Sequence, residues 1–281
     1  APSLVGSEMC IRDSLLSDNL NEISNLINKY KNGIIVKPSN GSRGSLGVSI
    51  VKDIENLEEC FKFAKINSLD GKVIIEEYIK GQEYSIDGII KNNHPNIISV
   101  TKKNNLGSKK NFIMKSFSSL CEKQKIELKK DFRDLNQITK KTLDVLGINN
   151  SFFSIDIIIE KDLYMVIECG ILLDCKIDRL LWHSGINIYE EYIKLITGNL
   201  ENNNFKLEKQ LMLEFIFANK KGVLKKNVNY LEKNLKLEWE KEEGEFVYEP
   251  KSISDTIGWV IGNPDNIFLS QQKINSTFDI L

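Results

Sequence analysis

The sequence predicts an α+β fold on three observations. Helically spaced apolar residues alternate with short apolar runs of strand length, glycine- and serine-rich turns separate them, and no internal repeat is present. Leu15, Leu16, Leu20, Ile23, Leu26 and Ile27 recur at helical spacing up to Lys29 and predict an opening helix. Gly33 to Lys37 is a strand-length apolar run, Pro38 to Gly47 has loop composition, and Val48 to Val51 resumes as strand. Asp53 is the expected cap of a helix whose Leu57, Cys60, Phe61 and Ala64 share one face. Val73 to Glu77, Glu83 to Ile90 and Ile97 to Thr101 read as strands. A polar helix follows from about Lys123 to Leu146, ended by Gly147, with further strands at Phe152 to Ile159 and Tyr164 to Glu168.

Beyond Gly198 the texture changes. Glu201 to Asn204 reads as a linker, and the short runs Leu235 to Trp239, Glu245 to Tyr248 and Ile257 to Ile261 predict a small β-rich unit. Trp239 and Trp259 there are expected as core or packing residues rather than ligand contacts.

Composition narrows the function classes. The 281 residues are 41% hydrophobic and 27% charged, enough for one large or two modest domains with a sizeable core. Thirty-eight basic against 39 acidic residues leave a formal charge of -1, so no global field recruits nucleic acid or an anionic membrane. No apolar run approaches the roughly 20 residues of a membrane helix, and no signal peptide opens the chain, which points to the cytoplasm. Cys10, Cys60, Cys121, Cys169 and Cys175 are scattered, without a CxxC pair or a histidine cluster, and are expected as reduced thiols. Leu4 to Asp13 resembles the translation of a transposase adapter used in DNA sequencing. Residues 1–14 are therefore expected as a non-native segment, with residues 1–13 packing against nothing and the natural N-terminal part missing.

The chemistry concentrates in four segments. Gly41, Ser42, Arg43, Gly44 and Ser45, just after Lys37, offer small residues, backbone N–H groups and cations suited to phosphates. Glu76 and Glu77 end one strand and Glu83 opens the next, placing acceptors for an amino group and hydroxyls; a solvated strand end is the competing account. Asp156 lies within an apolar strand, and Glu168 closes the strand after it. Neighbouring antiparallel strands bring such carboxylates together, where hard oxygen ligands suit magnesium. A structural salt bridge is the competing account for either carboxylate alone.

In this order the four segments resemble the ATP-grasp superfamily of carboxylate-activating ligases over about Leu15 to Gly198. The resemblance implies two α+β subdomains clamping ATP, residues 15–92 and 93–200, followed by a β-rich C-terminal domain at 201–281. It implies that Lys37 contacts phosphate and adenine, that Glu76, Glu77 and Ile79 line the adenine pocket, and that Glu83 holds the ribose. Asp156 and Glu168 fall at magnesium-ligand positions. Where the family carries Asn and Arg after the last metal-binding Glu, this chain has Gly170 and Leu172; Asp174 or Arg179 is the expected substitute, with Asp174 taken as a third ligand. Ser154 stands where a more basic or polar contact is common. The implied reaction joins a small-molecule carboxylate to an amine through an acylphosphate, with ATP and Mg2+ and without an assignable general base. A homodimer is compatible with the resemblance. The alternative, motivated by Gly170 and Leu172, is a degenerate domain that binds nucleotide as a regulator or scaffold.

Overall fold

A computed structural model describes residues 14–41, 44–106, 113–120, 129–160, 163–173, 176–200, 209–227 and 231–281. The fold is α+β, built on three antiparallel sheets. The first is four-stranded, in the order β1-β4-β2-β3, from β1 (Ser14–Ser17), β2 (Ile34–Pro38), β3 (Ser49–Val51) and β4 (Val73–Glu77). Helices α1 (Leu20–Lys29) and α2 (Leu57–Ile66) cover one face. Ile23, Ile34, Val36, Val51, Phe61 and Ala64 form the shared core there.

Two local expectations are corrected. Leu15 to Ser17 is strand, paired with Val73 to Ile75, and the helix begins only at Leu20. Polar groups delay it: Ser17 Oγ accepts from the Asn19 N–H at 3.0 Å, and Asn19 Oδ1 accepts from the Asn21 N–H at 3.0 Å. Asp53 makes no side-chain cap; it precedes a 3-10 turn, Ile54–Asn56, and α2 starts after that turn with the expected Leu57, Cys60, Phe61 and Ala64 buried.

The second sheet has eight strands in the order β12-β14-β10-β7-β6-β5-β8-β9. Its members are β5 (Gln82–Lys91), β6 (His94–Asn105), β7 (Met114–Ser119), β8 (Ser151–Glu160), β9 (Leu163–Gly170), β10 (Met212–Phe217), β12 (Lys236–Trp239) and β14 (Thr256–Gly262). Helix α3 (Lys129–Leu146) packs Leu135, Ile138 and Leu143 on one face, against Ile86, Val100 and Ile155. Helices α4 (Ile177–His183) and α5 (Ile188–Ile196) cover the other, against Phe117, Phe152 and Leu213.

Strand β5 belongs to this sheet although its residues precede the expected boundary at 92, and the sheet continues past residue 200. There β10 pairs with β7 through Met212↔Ser118 and Leu213↔Phe117. The third sheet, β13-β11-β15, comprises β11 (Gly222–Lys226), β13 (Phe246–Val247) and β15 (Phe278–Ile280). With α6 (Pro264–Leu269) and α7 (Gln271–Asn275) it encloses a further core around Leu224, Val260, Ile267 and Ile274. Trp259 is buried on the large sheet, and Trp239 meets Phe278 edge-on at 6.3 Å, so both tryptophans pack as expected. Among the described residues, Cys60 and Cys169 form no disulfide. Among the described residues no helix is long and apolar enough to cross a membrane. Residues 1–13, Cys10, Cys121, Cys175 and the linker at 201–204 lie outside the described residues.

Candidate functional site

The glycine-rich segment leaves the end of β2. Gly41, Gly44 and Gly47 adopt φ of 76°, 59° and 83°, and Ser45 is left-handed too, at 63°. A side chain at Gly47 would bring its Cβ to 2.7 Å from Pro38 Cγ, so the loop folds back onto the strand that carries Lys37 only because this residue is glycine. At the loop's tip, Gly44 lies against Ile253, whose Cγ2 would be 2.4 Å from an added Cβ. The loop thereby touches the 3-10 turn Ile253–Asp255 that precedes β14. Ser42 and Arg43 lie outside the described residues.

Antiparallel pairing of β2 with β4 sets Ile35 opposite Glu76, which puts Lys37, two residues on, beside the same carboxylate. Lys37 Nζ is 2.7 Å from Glu76 Oε2, with the side chains 23% and 12% exposed, so the pair is partly open to a ligand. Glu77 is opposite Ile34, on the other face of the strand, and is half-buried. Ile79 is buried in the link to β5.

Across the large sheet, one register row carries the expected metal residues. Asp156 on β8 faces Glu168 on β9 directly, as two neighbouring antiparallel strands require. The row continues through Ser85, Thr101 and Ser119, all buried. In the adjacent row Ser154 sits between Asp87 and Gly170, and Ser85 Oγ lies 3.2 Å from Ser154 Oγ. The strands thus present half-buried Ser154 and Asp156 and exposed Glu168 to a cavity of about 320 Å³, which Gly170, Ile171, Leu172 and Leu173 complete.

The sequence reading missed one member of this site. Lys103, only 7% exposed, places Nζ 2.6 Å from Asp156 Oδ2 and 3.7 Å from Glu83 Oε1. A buried ammonium therefore links the carboxylate expected to hold metal with the one expected to hold ribose. The signal was present as a period of two: Ser99, Thr101 and Lys103 alternate along β6 onto one face. The Cys169 thiol reports the local field. Burial chiefly, and then the charges of Glu168 and Asp156, push it up to about 11.

Gly170 is not forced by space. A Cβ there would meet no atom closer than Leu172 N and O at 4.0 Å. Leu172 is 73% exposed at the mouth of the cavity. Asp174 lies outside the described residues, and among those described no three His, Cys, Asp or Glu groups converge as a metal cluster. Arg179, the other expected substitute, is on α4 and lines a second cavity that shares Leu172 and Leu173 with the first.

The ATP-grasp domain family matches residues 30–172, which covers β2 through β9 with Lys37, Glu76, Glu83, Lys103, Asp156 and Glu168. No curated protein matches the chain. Solved structures do. An L-amino acid ligase from Bacillus licheniformis superposes with a TM-score of 0.73 at 16% identity, over 97% of this chain and 69% of that one. A phosphoribosylglycinamide synthetase from Anaerococcus prevotii gives 0.61 at 19% identity, over 97% and 70%. A biotin carboxylase-βγ-ATP complex from Campylobacter jejuni gives 0.66 at 16% identity, over 96% and 64%. At these identities the likeness is one of fold.

Proposed function

The chain belongs to the ATP-grasp family, and on that premise we propose that it is an ATP- and magnesium-dependent ligase that activates a carboxylate as an acylphosphate for attack by an amine. The observation that carries this reading is the direct Asp156↔Glu168 pairing above a cavity, on the same face as Lys103. Two hard carboxylates on one face of a rigid strand pair fit Mg2+, and the open space at Gly170 leaves room for a further ligand or a water. When bound, the ion would neutralise phosphate charge that opposes nucleophilic attack.

The chain's own groups then have separable tasks. Lys37, held by Glu76, supplies a charge-assisted contact to phosphate. Gly41, Gly44 and Ser45, with Ser42 and Arg43, form a flap that approaches the phosphates and excludes water. Glu76, Glu77 and Ile79 border the base, and Glu83, steadied by Lys103, accepts from ribose hydroxyls. Asp156, Glu168 and Asp174 form the magnesium side. The four- and eight-stranded sheets are the two jaws, and we place the reaction in the cytoplasm. The work is positioning and electrostatics, and no residue is assigned as general base.

Hydroxylamine trapping tests the reading: with ATP, Mg2+ and a panel of carboxylic acids, an acylphosphate yields a hydroxamate for at least one acid. ATP binding without any hydroxamate or ADP would favour the second reading, a non-catalytic nucleotide binder. Gly170 and Leu172 at family ligand positions, and an ammonium already seated on Asp156, are what support that alternative.

A further inference from the structure

The second cavity adjoins the Asp156–Glu168 site through Leu172 and Leu173, and its remaining lining is Phe152, Lys176, Asp178, Arg179 and Tyr189. Its charges are unequally engaged. Lys176 is committed to the Glu240 carboxylate, and its Nζ lies 4.3 Å from the centre of the Trp259 ring. Glu238, which acts on Arg179 through space, is held by Lys236 at 2.6 Å. Asp178 Oδ2 accepts from the Tyr189 hydroxyl at 2.9 Å, and Arg179 approaches it only through Nε, at 3.8 Å. Among the described residues, the 51% exposed guanidinium therefore keeps its terminal N–H fork for a ligand, while Asp178 is only 22% exposed and fixed in place by the phenol.

With Lys176 neutralised by Glu240, the described lining leaves the Arg179 guanidinium and the oriented Asp178 carboxylate side by side, beneath the apolar walls of Phe152, Leu172 and Leu173. Leu172, which lines both cavities, is 73% exposed and presents apolar surface where they meet. A lone carboxylate or a lone amine would leave one pocket charge without a partner, whereas a zwitterion satisfies both. We propose that this cavity binds an α-amino acid with an apolar side chain. Its carboxylate lies on Arg179, its ammonium on Asp178, and its side chain against Phe152, Leu172 and Leu173. The proposal rests on the ligase reading for its role, since it makes that amino acid a substrate, but not for the binding itself.

The test is calorimetry on the full chain, with and without MgADP, using L-leucine, 4-methylpentanoate (leucine without its amine) and 3-methylbutylamine (leucine without its carboxylate). Leucine is expected to bind at least tenfold more tightly than either analogue, the effect of losing about one charge-assisted contact. Asp178→Asn should lower leucine affinity to that of 4-methylpentanoate and leave the latter's affinity unchanged. Arg179→Leu should lower it to that of the amine. A merely structural role would weaken all three ligands together and would not produce this crossed pattern. Equal binding of leucine and either analogue, or no leucine binding, overturns the proposal. MgADP binding by Asp178→Asn in the same cell reports the nucleotide reading separately, because that variant alters none of Lys37, Glu76, Asp156, Glu168 or Arg179.

Discussion

Replacing Lys103 with Met removes the ammonium between Asp156 and Glu83 and leaves an aliphatic chain of similar length in its place. The lysine is 7% exposed and Asp156 17%, so the partner left behind is a largely desolvated carboxylate. Breaking a buried ion pair from one side costs about 3–5 kcal/mol; the residual exposure of Asp156 reduces this to about 2–3 kcal/mol. For a chain of this size that corresponds to a fall in Tm of roughly 3–5 °C. Magnesium should then stabilise the variant more than the wild type, because the cation it replaces is gone. At about 100 times its Kd the ion returns about 2.7 kcal/mol, close to the whole deficit. The assay is thermal unfolding of both proteins in EDTA and across a Mg2+ titration. A variant as stable as wild type in EDTA, or one whose deficit ignores magnesium, would refute the assignment of Lys103 and Asp156 to one cation site.

Three further outcomes are expected. Lys37→Ala should weaken ATP binding at least tenfold by calorimetry, equivalent to about 1.4 kcal/mol for one charge-assisted contact; unchanged affinity would remove Lys37 from the nucleotide site. Gly170→Asn has room for its side chain and should raise the Mg2+-dependent affinity for nucleotide several-fold with Tm held within about 1 °C, whereas no gain would place the metal away from β9. Cys169, with its thiol pushed up to about 11, should resist iodoacetamide at pH 8, where only ~0.1% is thiolate, and labelling as fast as in the unfolded chain would contradict that environment. Because this raised value exceeds the ordinary 9.0, the same thiol makes the native state lose stability as pH rises from 9 toward 11.

The parts of the site legible in the sequence are those whose signals are local. Lys37 at the end of an apolar run, the glycines that follow, Glu76, and a carboxylate inside β8 can each be read within a few residues. The pairing of Asp156 with Glu168 was legible because the two strands are consecutive and antiparallel. Lys103 was not, since its partner lies 53 residues away and only the alternation along β6 hints that it points inward. Strand β7 escaped because Ser116, Ser118 and Ser119 dilute its apolar character; they are buried by tertiary pairing rather than by their own hydrophobicity. The same non-local pairing hid the fact that β10, β12 and β14 extend the large sheet, although their runs resemble a separate unit.

The central claim is that Asp156 and Glu168 make nucleotide binding depend on magnesium. Its most direct test is ATP affinity measured by calorimetry with and without Mg2+, for wild type and for Glu168→Gln, which keeps the side chain's shape and removes its charge. The account predicts that magnesium tightens ATP binding at least tenfold in the wild type and that Glu168→Gln retains the metal-free affinity while losing that increment. An increment that survives intact in the variant would place the metal elsewhere and contradict the account.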